Sequence, residues 1–262
     1  MNKSNESNEP RVAPDARDTT PGAVSPDKGG RDLGSGAMFD GIAARYDMLN
    51  RVMSMGLDVR WRRALARAIA DVTPTGGEVL DVATGTADVA LTIAAQAPSL
   101  RIIGVDPSAG MLERGRTKVR SAGLDRRIAL EIADGLSLPF ADDRFDAACV
   151  SFGIRNFKDR ALGLAELTRV TRPGGLVAIL ELAEPRDSGL LGAAARTHVR
   201  YVVPRLGAIL SGSREYRYLQ DSIAAFPPAA EFSAMMRDAG LREVEARPMT
   251  FGAVVLFLGR VP

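Results

Sequence analysis

One stretch decides the fold: Val79-Leu80-Asp81-Val82-Ala83-Thr84-Gly85-Thr86-Ala87-Asp88. Its apolar start predicts a buried strand that ends in the carboxylate of Asp81, and residues 89–95 predict a helix. A strand, a tight turn and a helix N-terminus together present backbone N–H groups to a nucleotide-like ligand. The stretch therefore predicts a ligand site that includes Asp81 and Gly85.

Strands and helices alternate along most of the chain. Seven strands are predicted at residues 78–83, 101–106, 127–133, 145–152, 176–182, 241–247 and 251–259. Alternation favours parallel pairing through right-handed crossovers. The last two strands follow one another across Pro248 and predict a hairpin, hence one antiparallel edge strand. The predicted fold class is α/β, a doubly wound, mostly parallel, seven-stranded Rossmann-like sheet.

Composition excludes several classes of protein. The 262 residues are 46% apolar, which is enough for one domain with a substantial core. A net charge of +2 gives no argument for nucleic acid. A single cysteine, Cys149, and a single histidine, His198, argue against disulfides and predict no metal site. No apolar run approaches about 18 residues, and the N-terminus lacks a secretory signal, so a cytoplasmic location is expected.

Two segments stand apart from this pattern. Residues 1–36 are rich in Asn, Ser, Asp, Pro and Gly, which predicts a disordered tail before a domain at residues 37–262. Nearly sixty residues lie between Ala183 and Leu241, where one crossover helix would suffice. The extra residues, about 185–226, predict a helical lid at the carboxyl edge of the sheet.

Three predicted strands end in acids, namely Asp81, Asp106 and Asp134. Asp106 lies 21 residues after Gly85, which is the spacing of a carboxylate that receives ribose hydroxyls. The alternative is that such acids mark strand ends and cap helices. Both interpretations stay open for these residues.

The loop after the first strand distinguishes between ligands. A pyrophosphate requires Gly-x-Gly-x-x-Gly, whereas here Gly85 is flanked by Ala83 and Ala87. The carboxylate of Asp81 would also face a pyrophosphate unfavourably. A cationic ligand without phosphates fits better, and S-adenosylmethionine has a sulfonium, an ammonium and an adenosine. We expect Asp106 at the ribose and Asp134 with Gly135 at the adenine.

At these residues the chain resembles a known family. Residues 81–87 resemble the Asp-x-Gly-x-Gly-x-Gly motif of class I S-adenosylmethionine-dependent methyltransferases, with alanine at the first and third glycines. More specific stretches are similar to the quinone-biosynthesis C-methyltransferases, which act on demethylmenaquinol and on 2-polyprenyl-6-methoxy-1,4-benzoquinol. These stretches are residues 39–50, Ser151-Phe152-Gly153-Ile154-Arg155-Asn156, residues 172–175 and residues 216–219. The resemblance extends from about residue 38 to the C-terminus.

The resemblance implies a set of cofactor contacts. They fall at Thr86, Asp106, Asp134, Gly135 and Ser151, each of which matches a position of the family's motifs. Asp134 stands where the family often has Asn, and either side chain can meet an adenine. The two alanines of the loop narrow it slightly.

Methyl transfer to a ring carbon predicts further roles. Arg155 can stabilise an oxyanion, although its guanidinium is not itself a base. Asn156 can orient a ring oxygen, and Tyr46 can close over the site. His198 lies in the predicted lid and titrates in a suitable range, so it is a candidate acid or base, but a lone histidine in a helix is more often a structural residue.

The implied substrate is a polyprenylated quinol, which resides in a bilayer. Apolar residues at 189–210, mixed with Arg196, Arg200 and Arg205, predict either peripheral membrane contact through the lid or a buried helix. We therefore expect the protein at the inner face of the membrane, and a homodimer is a further hypothesis.

Other functions compete with this one. An NAD(P)-dependent oxidoreductase is disfavoured by the single glycine of the loop and by Asp81. A methyltransferase for another small molecule is disfavoured by the match at residues 151–156. A non-catalytic ligand-binding or RNA-binding module is disfavoured by the low net charge and by the lack of interleaved aromatic and basic residues.

Overall fold

The computed structural model describes Met1, residues 47, 48 and 50–183, and residues 220–262. Apart from Met1, the predicted tail at residues 1–36 therefore lies outside the described residues, as do Tyr46 and His198. So does the predicted lid up to residue 219. At the end of the lid, Phe226 is buried and its ring lies 4.8 Å from that of Phe232.

Helices and strands alternate over the described chain. In chain order they are α1 (Asp58–Ala70), β1 (Glu78–Val82), α2 (Asp88–Gln96), β2 (Arg101–Asp106), α3 (Ala109–Ser121), β3 (Ile128–Ile132), β4 (Phe145–Ser151), α4 (Arg160–Val170), β5 (Thr171–Leu182), α5 (Ala229–Asp238), β6 (Arg242–Met249) and β7 (Val254–Arg260). Short 3-10 turns occupy Ile154–Asn156 and Thr250–Gly252. The predicted strands all form, with ends that shift by a few residues.

The strands form one sheet in the order β3-β2-β1-β4-β5-β7-β6. The first five strands of the chain pair in parallel, and β7 is antiparallel to both of its neighbours. This confirms the predicted seven-stranded, mostly parallel sheet with antiparallel pairing at one side. The antiparallel strand, β7, lies one place inside the edge of the sheet. The edge strand is β6, which follows α5, and β7 lies between β5 and β6.

Pro248 lies within β6, although the sequence places it between the last two strands. It pairs with Val255 of β7. Proline has no N–H to donate to a neighbouring strand. An edge strand has no neighbour on its outer side, so a proline is tolerated there. The outermost position of β6 therefore explains why the strand continues through Pro248 to Met249.

Both faces of the sheet are buried. Val79 and Cys149 belong to the apolar layer under α1 and α2, whereas Leu80 and Val150 belong to the opposite layer, under α4 and α5. Side chains alternate between the two faces of a strand. Asp81 consequently faces the same layer as Val79, which explains its burial.

The chain order reverses between β1 and β4. From β1 the strands run outward to β2 and β3, and from β4 they run the other way to β5. Such a switch point leaves a crevice outside the carboxyl ends of the two central strands. The loops that follow β1 and β4 carry most of the predicted site residues.

Candidate active site

The loop after β1 keeps an unusual backbone. Ala83, Gly85 and Ala87 have φ angles of 56°, 55° and 67°, all in the left-handed region. These are the three positions that the methyltransferase motif gives to glycine. A side chain in this region costs about 1–2 kcal/mol. The loop thus retains the motif's conformation at two alanines, and a Cβ at Gly85 would meet nothing within 4 Å.

Ala83 is accommodated by a glycine in the loop after β4. A Cβ added at Gly153 would lie 2.6 Å from the Cβ of Ala83, well inside van der Waals contact. The missing side chain at Gly153 therefore leaves the space that the methyl group of Ala83 occupies. This contact packs the β1 loop directly on the β4 loop.

Asp81 lies beneath the loop and not in the crevice. It is 1% exposed, and its carboxyl group accepts hydrogen bonds from Thr84 Oγ1 at 2.6 Å and from the Cys149 thiol at 3.6 Å. The main-chain N–H of Ala90 is a third donor. Burial raises the pKa of Asp81 to about 7, and it also raises the pKa of the Cys149 thiol. The geometry favours a role in holding the loop over the predicted cofactor contact.

Asp106 joins the end of β2 to the β1 loop. Its Oδ2 accepts from the main-chain N–H of Gly85 at 2.9 Å, and its Oδ1 accepts from that of Ser108 at 2.9 Å. Ser108, not Asp106, caps α3, since the hydroxyl of Ser108 accepts from the N–H of Met111. Helix capping therefore does not explain Asp106. A carboxylate accepts up to about four hydrogen bonds, so one held by main-chain donors can also receive ribose hydroxyls.

Asp134 and Gly135 follow β3. Asp134 is exposed, and its Oδ1 accepts from the N–H of Leu136 at 2.9 Å in a tight turn. Gly135 is buried, and a Cβ there would lie 2.6 Å from the ring of Phe157. Phe157 comes directly after the turn Ile154–Asn156. The glycine thus lets the β4 loop approach the end of β3.

Thr86 is 3% exposed and carries two side-chain hydrogen bonds. Its Oγ1 donates to Asp47 Oδ1 at 2.6 Å and accepts from Lys118 Nζ at 2.8 Å. Lys118 Nζ also lies 2.6 Å from Asp47 Oδ2 and 2.6 Å from Asp88 Oδ1. Sequence reasoning did not single out Asp47 or Lys118. The place of Asp47 in the Tyr46-Asp47-Met48-Leu49-Asn50 stretch was the available signal.

At the end of β4 the Ser151 hydroxyl is buried, and within the described residues it has no hydrogen-bond partner. An unsatisfied buried hydroxyl is uncommon, and it offers a hydrogen bond to a ligand. Together with the carboxylate of Asp106 on β2, it supplies hydrogen-bonding groups on both sides of the β1 loop. These residues fit a ligand with hydroxyl and amine groups, and they fit S-adenosylmethionine.

Arg155 follows β4 and is 8% exposed. Its Nη1 donates to Glu181 Oε1 at 2.8 Å and to the carbonyl of Phe152, and its main-chain N–H donates to Glu181 Oε2 at 3.2 Å. Asn156 is the last residue of the turn that carries Arg155. Glu181 is fully buried near the end of β5 and was missed in the sequence. Its signal was available, because it is an acid at the end of an apolar strand, like Asp81, Asp106 and Asp134.

The structure brings most of the predicted residues to one edge of the sheet. Neighbouring strands lie about 4.8 Å apart. Along the order β3-β2-β1-β4, the strand ends carry in turn Asp134 with Gly135, Asp106, the β1 loop, and Ser151 with Arg155. The described residues contain no cluster of three or more metal-ligating side chains, and none of their helices is long and apolar enough to cross a membrane.

Comparison with known proteins identifies the family. The ubiE/COQ5 methyltransferase family matches residues 30–260. The chain belongs to the ubiE/COQ5 methyltransferase family. Its members include the ubiquinone/menaquinone biosynthesis C-methyltransferase UbiE of Geobacter sulfurreducens, 46% identical over 85% of this chain and 86% of the relative. The demethylmenaquinone methyltransferase of Deinococcus radiodurans is 44% identical over 85% of this chain and 90% of its own. The demethylmenaquinone methyltransferase of Thermus thermophilus is 42% identical over 86% of this chain and 100% of its own.

Solved structures share the fold at lower identity. A SAM-dependent methyltransferase from Aquifex aeolicus matches with a TM-score of 0.56 and 16% identity, over 77% of this chain and 89% of that one. Phosphoethanolamine N-methyltransferase 2 of Haemonchus contortus, solved with S-adenosyl-L-methionine, matches with a TM-score of 0.57 and 16% identity, over 86% and 60%. The ubiE/COQ5 family gives no support to an oxidoreductase or to an RNA-binding module.

Proposed function

We propose that the protein transfers a methyl group from S-adenosylmethionine to a ring carbon of a polyprenylated quinol, converting demethylmenaquinol to menaquinol. The observation that carries this proposal is the row of Asp106, the β1 loop and Ser151 on neighbouring strand ends, inside a chain of the ubiE/COQ5 family. The names of its relatives give the substrate class, since they are ubiquinone/menaquinone and demethylmenaquinone methyltransferases.

The strand order assigns a part of the cofactor to each strand end. Asp134 and Gly135 would hold the adenine, and Asp106 would accept from the ribose hydroxyls. The β1 loop, with Gly85 and Thr86, would hold the amino-acid end. Ser151 at the end of β4 lies nearest to Arg155, and hence on the side where the methyl acceptor is expected. Asp81 supports the loop from below through Thr84.

Bound S-adenosylmethionine supplies a methyl group on a sulfonium, whose departure as a neutral thioether needs no metal. The quinol must be in its reduced, electron-rich form, and loss of a phenolic proton makes the ring carbon more nucleophilic. A phenol has a pKa of about 10, so the site has to stabilise the phenolate. Arg155 carries the positive charge for this, and Glu181 fixes the orientation of its guanidinium. Because a guanidinium keeps its protons, Arg155 positions a water molecule as the base, and Asn156 orients the ring oxygen.

Calorimetry tests the cofactor assignment. The protein should bind S-adenosylmethionine and should not bind NADH. Asp106→Ala should weaken S-adenosylmethionine binding about 10- to 150-fold, because hydrogen bonds to a charged acceptor contribute about 1.5–3 kcal/mol. Glu113→Gln, an exposed residue of α3, is the matched control and should bind as the wild type does. Normal binding by Asp106→Ala would show that the ribose assignment is wrong.

Complementation tests the substrate. The gene should restore menaquinone in a strain that lacks demethylmenaquinone methyltransferase, with the quinones identified by mass. Restoration of ubiquinone in a second strain would add the benzoquinol as a substrate. Failure in both strains would exclude the proposed reaction.

Three finer points stay predictions: contact with the membrane through the lid, a cytoplasmic location at the inner face of the membrane, and a homodimer. An apolar polyprenyl tail is the reason to expect the membrane contact. The protein should sediment with anionic liposomes, and high salt should reduce the bound fraction. Failure to bind both anionic and neutral liposomes would rule the contact out.

A further inference from the structure

Thr86 and three charged side chains near it form a cluster whose charged members the proposed reaction does not yet use. We call Asp47, Thr86, Asp88 and Lys118 the Asp47 cluster. Lys118 of α3 bridges Asp47 and Asp88, and Thr86 lies between Lys118 and Asp47. Asp88 continues to Arg62 of α1 at 3.2 Å. The cluster therefore ties the segment around Asp47 and the β1 loop to three helices, α1, α2 and α3.

The two hydrogen bonds of Thr86 leave its hydroxyl able to form only one further kind of hydrogen bond. A hydroxyl has one proton to donate and two lone pairs to accept with. Here Asp47 takes the proton and Lys118 takes one lone pair. Within the described residues only the second lone pair is left. This hydroxyl can therefore accept a hydrogen bond from a ligand but cannot donate one.

The direction of this hydroxyl selects a ligand group. The amino-acid end of the cofactor has an ammonium, which donates, and a carboxylate, which only accepts. We propose that Asp47 and Lys118 are positioning residues that set the Thr86 hydroxyl as an acceptor for the ammonium of the cofactor. This inference rests on the proposed placement of the amino-acid end at the β1 loop.

Asp47→Asn should reverse the direction of the hydroxyl. Lys118 needs the oxygen of the new amide side chain, so the NH₂ of that amide turns to Thr86 Oγ1 and donates to it. Both lone pairs of Thr86 are then used, and its proton points away from the cluster toward the ammonium. Thr86→Val removes the hydroxyl without adding an opposed donor. Asp47→Asn should therefore weaken binding more than Thr86→Val does.

Two adenosine ligands separate this role from a purely structural one. S-adenosylhomocysteine contains the amino-acid end, whereas 5′-methylthioadenosine lacks it. We expect Asp47→Asn to weaken the binding of S-adenosylhomocysteine about 10- to 100-fold, which corresponds to about 1.4–2.7 kcal/mol. The affinity for 5′-methylthioadenosine should stay within about twofold of the wild-type value. Thr86→Ser keeps the hydroxyl and should bind S-adenosylhomocysteine more tightly than Thr86→Val does. Glu113→Gln removes an exposed ion pair from the same helix and is the control.

Each outcome decides the matter. Equal weakening of both ligands by Asp47→Asn, or no weakening of S-adenosylhomocysteine, overturns the inference, as does failure of Thr86→Ser to restore what Thr86→Val loses. Thermal unfolding of each variant shows that it is folded at the temperature of the titration. If the wild type binds neither ligand, the proposed function fails, independently of the Asp47 cluster.

Discussion

Two buried carboxyl groups stand near the ends of β1 and β5, on either side of β4. Asp81 has neutral donors around it, namely the Thr84 hydroxyl, the Cys149 thiol and a main-chain N–H, and its burial raises its pKa to about 7 in spite of them. Glu181 is equally buried, but it contacts the guanidinium of Arg155 at 2.8 Å. The same kind of group at the same edge of the sheet thus has opposite partners.

The difference matches the two parts of the site that these carboxyl groups support, the cofactor loop and the side of the methyl acceptor. Burial penalises a charge, and only a nearby opposite charge or strong hydrogen bonds offset the penalty. Under the cofactor loop, burial outweighs the three hydrogen-bond donors of Asp81, which favour the ionised form, so its carboxyl group keeps its proton up to about pH 7 and serves as a hydrogen-bonding support. At the acceptor side the carboxylate keeps a cation in a fixed orientation. The sheet therefore builds a neutral support under one half of the crevice and a charged pair under the other.

The largest expected effect comes from breaking the charged pair. Glu181→Gln takes this counter-charge away from the buried guanidinium of Arg155, which typically costs about 3–5 kcal/mol of folding free energy. Urea denaturation at pH 7 measures this loss. Glu245→Gln, which removes the exposed pair with Arg247, is the control and should change nothing measurable. Equal stability of the Glu181→Gln variant and the wild type would show that Arg155 does not depend on Glu181.

The pH dependence of stability tests the neutral support. Between pH 4 and pH 8 the unfolded chain loses the Asp81 proton before the folded protein does, because the folded pKa is about 7 and the ordinary value is 3.8. Rising pH therefore favours unfolding, and the stability that protonated Asp81 contributes, about 4 kcal/mol, is present below pH 4 and lost as the pH passes 7.

Asp81→Asn isolates this contribution, because all other carboxyl groups are shared with the wild type. Urea denaturation of both proteins at pH 4, 5, 6, 7 and 8 should show the wild type losing stability relative to the variant as the pH rises. Parallel curves would mean that Asp81 is not protonated in the folded protein, and the contrast with Glu181 would disappear.

A smaller effect is expected where the two halves touch, at Ala83 and Gly153. Gly153→Ala places two methyl groups 2.6 Å apart and should cost about 1–3 kcal/mol by overpacking. Ala83→Gly removes one of them, so the double variant should recover most of that loss. A double-mutant cycle by urea denaturation measures the coupling. Simple additivity of the two changes would show that the loops do not pack on each other here.

The sequence predicts the sheet well because its signals are local. Alternating apolar strands and helices give the parallel sheet. The direct hydrogen bond from the Gly85 N–H to Asp106 was not predicted, and the ribose contact of Asp106 stays a prediction. The last two strands have similar local sequence patterns, so the pattern does not show which of them pairs with β5. Strand periodicity alone therefore predicts a hairpin but not which of its strands is outermost.

The site was predicted less completely, because its contacts join residues far apart in the chain. Arg155 was expected from its motif, but its partner Glu181 lies 26 residues away on another strand. Asp47 and Lys118 meet at Thr86 through three separate elements. The burial of Asp81 could have been predicted, since it shares a face of β1 with Val79. Tyr46 and His198 lie outside the described residues and stay predictions.

The left-handed alanines of the β1 loop have a consequence for binding entropy. Alanine leaves the unfolded chain fewer conformations than glycine does, and its position at positive φ is maintained by the surrounding fold. The loss of backbone freedom at Ala83 and Ala87 therefore accompanies folding and is complete before any ligand arrives. A ligand that binds this loop therefore loses less conformational entropy of the loop than it would at a loop of three glycines. The folding free energy has already covered that entropy cost, which favours tighter binding.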